Sequence, residues 1–356
     1  PLITQLLANG SPDLRAASAR ALLQLSGGQD EDAKLTMNSL LNGSCPESVA
    51  ALNRIDPAFY RLNGQQFRRL LASKQHSVQL AALDYARRFP ENQFIPWIIS
   101  MAKNDAPLME IRRTLKAFPS APVVNSCLEA LTTCKQDYSN RLAVVRILRD
   151  HPDPSALEVL LRLIEKADLI LLEAITDTVR ELLTEVPLPL TAPTILSSKC
   201  EQLAFRACYF NRLLSMASWE PNSELLRDYY EHQYRRFVTA LLKLRVLHHP
   251  EFPLTDALAA LQNGDSGSRS LVIELFEGTL GSLERARVLP LLELDSPRDR
   301  DSQLSPYYPG LPDDLIKELE KGVYSRESWY SAICLAHLLD ADRTLRIDRL
   351  DWQQRL

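Results

Sequence analysis

The first 25 residues read PLITQLLANGSPDLRAASARALLQL (1–25), and their punctuation decides how the chain folds. An apolar run ends at Asn9-Gly10, a good stop for a helix. Ser11 is then placed to cap a second helix that Pro12 begins, because a serine oxygen can accept from a free first-turn N–H and proline has none to leave unpaired. Leu14, Ala17, Ala21, Leu22 and Leu25 follow at helical spacing on one face. The stretch therefore predicts a short helix, a tight turn and a second helix.

The pattern recurs. FRRLLASKQHSVQLAALDYARRF (67–89), WIISMAKNDAPLMEIRRTLKAF (97–118) and LLRLIEKADLILLEAITDTVREL (160–182) repeat it with better helix formers. Leu25, Ile55, Phe89, Phe118, Leu148 and Leu182 mark one point in six successive segments, at steps of 30, 34, 29, 30 and 34 residues by subtraction. Three residues before each lies another apolar residue: Leu22, Leu52, Ala86, Leu115, Val145 and Val179. A period in this range is the mark of stacked helical hairpins, each able to bury its apolar face only against its neighbours. The short helix, tight turn and small-residue second helix resemble HEAT repeats. That resemblance implies an all-α chain: an α-solenoid of HEAT-like helical hairpins wound as a right-handed superhelix.

Composition agrees with helix. Of 356 residues 46% are apolar, enough for a core, while only 11 are glycine. The 22 prolines fall as punctuation, at Ser-Pro 11–12, Asp-Pro 56–57, Phe-Pro 118–119 and Asp-Pro 153–154. A net charge of −4 and a pI near 6.0 argue against bulk electrostatic capture of nucleic acid. Cys45, Cys127, Cys134, Cys200, Cys208 and Cys334 form no Cys-x-x-Cys and sit mostly in apolar runs, which predicts free, buried thiols and a cytoplasmic setting. No signal peptide or run of 18 apolar residues is present. A start at Pro1, already in helical pattern, reads as a piece of a longer protein.

The phase breaks after Leu183. TEVPLPLTAPTILSS (184–198), with Pro187, Pro189 and Pro193, predicts a loop or extended connector between an N-terminal array (1–183) and a C-terminal helical region (199–356). Two longer helices are expected there, at about 199–219 and 223–248, the second capped by Ser223. Hairpins resume at 252–280 and 283–294, a polar loop spans 295–312, and a last pair occupies 313–339. Within 224–293, RRF followed by LLKLRVL, and RSLVIELFEGTL followed by VLPLLE, are similar to HEAT-like regions of bacterial membrane proteins that carry an ATP/ADP-translocase-like transporter domain. The match covers about a fifth of the chain, and its motifs are helix-packing motifs, so it implies no catalytic residue. It implies that this chain is the soluble portion of a larger, membrane-associated protein, contacting its own transporter domain or reaching the membrane only through flanking sequence.

Catalytic constellations are missing from the sequence. There is no His-Glu-x-x-His, zinc spacing, phosphate loop or nucleophile elbow. His248-His249 before Pro250 reads as a helix end, where a cation meets the negative pole. Cys200 and Cys208 share a helix face and Glu274 and Glu277 lie three apart, and core packing and a solvated face account for them. Trp97, Trp219, Trp329 and Trp352 are dispersed and predict packing aromatics. No enzyme, cofactor or metal is therefore expected. Other HEAT-like proteins include DNA glycosylases acting on alkylated bases, which would need Asp84 or Asp177 and Trp97 to converge, and chromophore lyases, to which nothing specific points.

One pattern lies outside core packing. Two residues before the apolar marker, segments three to six place Arg87, Lys116, Arg146 and Arg180, while the first two place Leu23 and Asn53. At 100° per residue that position faces away from the buried stripe. In HEAT-like arrays the second helix of each pair lines the inner surface, so the resemblance implies a basic row along a concavity, with Arg88, Arg113 and Arg141 adding charge and Asp84, Asp177 and Glu181 opposing it. The expected function is a non-catalytic, regulatory interaction scaffold whose basic row meets an acidic protein or peptide, phosphate groups or anionic headgroups.

Overall fold

The computed structural model describes residues 2–102, 107–133, 138–248, 257–259, 270, 273–274, 276–278 and 280–340. Most of the expected 252–280 hairpin, Cys134, His249 and Trp352 lie outside the described residues. Among those described the chain is all-helical, without a β-strand, and no helix is long and apolar enough to cross a membrane. They group into two compact units: residues 1–163 with 177–189, and 164–176 with 190–356.

Unit 1 is a succession of hairpins. Its helices are α1 (Leu2–Asn9), α2 (Pro12–Leu25), α3 (Glu31–Leu41), α4 (Cys45–Arg54), α5 (Gly64–Leu71), α6 (His76–Arg88), α7 (Ile95–Met101), α8 (Leu108–Leu115), α9 (Ser120–Thr133), α10 (Tyr138–Leu148) and most of α11 (Pro154–Ile164). It also takes the second part of α12 (Leu169–Leu182), from Asp177 onward. Each odd helix packs on the even helix that follows it from α1 to α10. The even helices α2, α4, α6, α8 and α10 also pack on one another in order, as do α5, α7 and α9. Helix starts follow the capping chemistry: Ser11 accepts from Leu14 N–H, Asp30 from Ala33 N–H at 2.8 Å, and Asn63 and Gln66 exchange reciprocal bonds at 2.8 and 3.0 Å. Gly28, at φ 84°, supplies the left-handed residue that ends α2, its N–H reaching Leu23 O at 2.7 Å.

The markers from Ile55 on lie at or just past the ends of the even helices, and Ile55, Phe118, Leu148 and Leu182 are buried. The first is a correction: Leu25 is 78% exposed. In α2 the buried stripe runs Ala16, Ala19, Leu23 instead, since small side chains allow α3 and α4 to approach closely. Leu23, assigned to the outward register, is therefore a core residue.

Unit 2 is built differently. The long helices α13 (Ala192–Ala217) and α14 (Glu224–Arg245) lie against each other. Around them pack α15 (Ser282–Glu293), α16 (Pro297–Leu304), α17 (Leu315–Val323) and α18 (Ser328–Asp340). Leu213, Ala217, Leu226, Tyr230, Leu319 and Cys334 share one apolar cluster. The expected connector is shorter than 184–198: Pro193 occupies the first turn of α13, where a missing N–H costs nothing, so the helix starts at Ala192. Ser223 stands at the N-cap of α14, but its hydroxyl turns back to donate to Ala217 O at 2.6 Å and Glu220 O at 2.8 Å, and it caps nothing.

Candidate functional site

The four outward basic residues all belong to unit 1, at the carboxyl ends of even helices. Arg87, Arg146 and Arg180 lie in the last turns of α6, α10 and α12, and Lys116 is the C-cap of α8. A cation there meets the negative pole of the helix dipole, worth about 0.3–1 kcal/mol at an exposed end. Helix formation therefore accounts for part of the pattern.

Their surroundings divide them into two pairs. Arg87 is bonded to Asp84, which also takes Arg88 Nε at 3.0 Å. Lys116 Nζ lies 3.1 Å from Asp150, the carboxylate that Arg112 grips from Nε at 2.6 Å and Nη2 at 2.8 Å. Burial works to raise the Asp150 carboxyl, but hydrogen bonds and charge from Arg112 and Lys116 overcome it and hold the group below its ordinary value. The same hydrogen bond raises Arg112. Beside this cluster His151 is 3% exposed, with Nε2 unpartnered, and burial pushes its imidazole down toward the neutral form. These groups form a structural clasp between α8 and the end of α10.

Arg146 and Arg180 are different. Arg146 is exposed and Arg180 half-buried, and neither has a hydrogen-bond or ion-pair partner among the described residues. They stand one repeat apart on adjoining helices: Thr178 donates to Val145 O at 3.2 Å, and Arg180 and Arg146 lie two and one residues further on. Glu181 does not neutralise them, because it pairs with Arg149 at 2.5 Å across the same step. Of the added cations, Arg113 is exposed, while Arg141 is half-buried with its Nε unpartnered.

Asp150 was not legible as the acceptor for Lys116, because the contact joins residues 34 apart and the outward register looks only along one helix. The tryptophans also depart from expectation. Trp219 is 73% and Trp329 65% exposed, each beside an interhelix turn, with Arg298 over the Trp219 ring at 5.4 Å. Trp97 is half-buried beneath Arg68 at 4.6 Å. Cys127, Cys200, Cys208 and Cys334 are buried free thiols, and burial raises Cys127 and Cys200 to about 12, as befits packing groups. Glu277 pairs with Arg285 at 3.2 Å. Among the described residues no group of three or more His, Cys, Asp or Glu is placed to hold a metal ion.

Comparison with protein-family models, with curated proteins and with solved structures gave no match to this chain.

Proposed function

We propose that unit 1 is a non-catalytic interaction scaffold, an α-solenoid of HEAT-like hairpins that receives an acidic protein segment. The observation that carries the reading is the split within the basic row. Arg87 and Lys116 spend their charge on Asp84 and Asp150, whereas Arg146 and Arg180 present unpaired guanidinium groups on adjoining helices. Guanidinium forks match carboxylates two donors at a time, so a neighbouring pair selects an extended acidic segment over a point anion. We place the scaffold in the cytoplasm, beside a transporter-like domain of the same protein, on the resemblance in 224–293.

The test is fluorescence anisotropy with a labelled oligoglutamate peptide. Arg146→Glu with Arg180→Glu should weaken binding by at least about a hundredfold, since two charge-assisted contacts become repulsions. Arg87→Glu should have a much smaller effect. Equal affinity in wild type and the double variant would sink the proposal.

A further inference from the structure

Unit 2 holds a groove of about 930 Å³ beside α14, walled on its inner side by Leu214, Val238, Leu242 and Leu291. Arg300 lines it and is 8% exposed. Its Nε donates to Asn211 Oδ1 at 2.7 Å, its Nη1 donates to Leu294 O at 3.0 Å, and the guanidinium lies 4.4 Å from the Tyr234 ring centroid. Asn211 is fully buried and fixed in turn, its Nδ2 donating to Pro297 O at 2.9 Å. The neighbouring carboxylate, Asp301, is taken by Arg212. Arg300 is thus a buried cation held rigid by neutral acceptors and a ring face, and among the described residues it has no carboxylate partner. A desolvated charge in that state is costly, and an incoming anion would relieve it.

Two more guanidinium groups line the same groove. Arg227 is half-buried with its Nε enclosed and unpartnered, and Arg236 is half-buried without an acidic partner among the described residues. Arg235 contributes nothing further, because Glu231 pairs with it at 2.5 Å. Carboxylates are present as well: Asp228 and Asp295 are exposed, and Glu173 is half-buried. They limit the charge that the groove accepts and disfavour polyanions. The apolar wall disfavours a bare inorganic ion.

We infer that this groove is a binding site for a small organic molecule bearing a single phosphate or carboxylate group. The anionic head lies against Arg300, with Arg227 and Arg236 on opposite sides of α14 adding positive charge along the groove, and the apolar body lies along Leu214, Val238, Leu242 and Leu291. The site lies wholly in unit 2 and does not depend on the acidic-segment reading of unit 1.

The test is calorimetric titration of the full chain with phenyl phosphate, benzoate and inorganic phosphate. One site per chain is expected, with phenyl phosphate or benzoate binding at least about tenfold tighter than inorganic phosphate, as the apolar wall requires. Whichever of the two aromatic anions binds better names the head group. Arg300→Gln should weaken it by at least about tenfold, the loss of one charge-assisted hydrogen bond, and Arg236→Ala by a smaller factor through lost charge. If Arg300→Gln unfolds, Arg227→Ala with Arg236→Ala decides the matter, because neither guanidinium has a hydrogen-bond or ion-pair partner among the described residues whose loss would unfold the unit, and binding unchanged in that variant overturns the inference. The double variant Arg146→Glu with Arg180→Glu should titrate as wild type. Failure of both aromatic anions to bind at millimolar concentration, binding no tighter than inorganic phosphate, or unchanged binding in the arginine variants overturns the inference.

Discussion

The two units hold themselves together over different distances along the chain. In unit 1 the side-chain bonds that leave a hairpin reach about one repeat. Arg15 meets Glu47 at 3.1 Å, Thr114 donates to Leu83 O, Arg112 grips Asp150, Arg149 meets Glu181, and Thr178 donates to Val145 O, with separations of 31 to 38 residues. In unit 2 bonds of that reach occur too, from Lys199 to Glu165 O and Ala167 O, but others reach much further. Tyr234 donates to Leu291 O, Asn211 to Pro297 O, Arg300 to Asn211, Tyr229 to Glu327 and Tyr209 to Glu318, at separations of 57 to 109. Bonds that join only successive hairpins stabilise each step locally. A unit closed by distant contacts must order long stretches of chain before any of those bonds form. Perturbations in unit 1 should therefore stay local, and perturbations in unit 2 should spread through the unit.

The largest effect expected is in the unit 1 core. Phe67 is fully buried with its ring 4.2 Å from Phe94, so Phe67→Ala should cost about 3–5 kcal/mol in urea unfolding. Hydrogen exchange in that variant should accelerate around α5 to α7 and leave α17 and α18 unchanged. Spread of the loss into unit 2 would break the contrast between the units.

Asn211→Leu is the counterpart in unit 2. It removes the acceptor for Arg300 and the donor to Pro297 O, and it should cost about 2–4 kcal/mol. Exchange should quicken across α13 and α16 together. Loss confined to α16 would remove the idea of a unit closed by long-range polar bonds. Gly322→Ala should be milder, about 1–3 kcal/mol, because the added Cβ would lie 2.5 Å from Cys334 Sγ, where α17 and α18 press together.

The smallest effect is a pH dependence in unit 1. Burial pushes the His151 imidazole below its ordinary 6.5, so the unfolded chain binds this proton more readily than the folded one. Stability from this residue is fully present above pH 6.5 and is lost as pH falls below it toward the depressed folded value. His151→Leu should flatten that fall in thermal melts between pH 7.5 and 5 while changing little at pH 7.5. An unchanged acid limb would show that His151 does not set it.

Much of this was legible in the sequence, and the reasons for success and failure are physical. Caps at Ser11 and Pro12 act within four residues, so the first hairpin could be read directly. The even-helix period could be read because each rung repeats one packing problem. Leu25 misled because a repeat pattern assumes that every rung has the same neighbours, whereas α2 buries its small residues instead. Within unit 1, the basic residues could be found by register, but only those partners on the same helix could. Asp84 lies on the same helix as Arg87 and was visible, while Asp150 reaches Lys116 from the next rung. The groove of unit 2 left no sequence signal, because Arg300 and Tyr234 come together only when helices 66 residues apart in the chain meet.

The central claim is that unit 1 divides its cations between holding the fold and facing a partner. Arg112→Gln and Arg146→Gln, measured side by side for urea stability and for oligoglutamate affinity, test it most directly. Arg112→Gln should cost about 1–3 kcal/mol of stability by stranding Asp150, with little loss of affinity in the folded fraction. Arg146→Gln should leave stability within about 0.5 kcal/mol and weaken the peptide by about tenfold. Equal stability losses in the two variants, or an affinity that Arg146→Gln leaves untouched, would contradict the account.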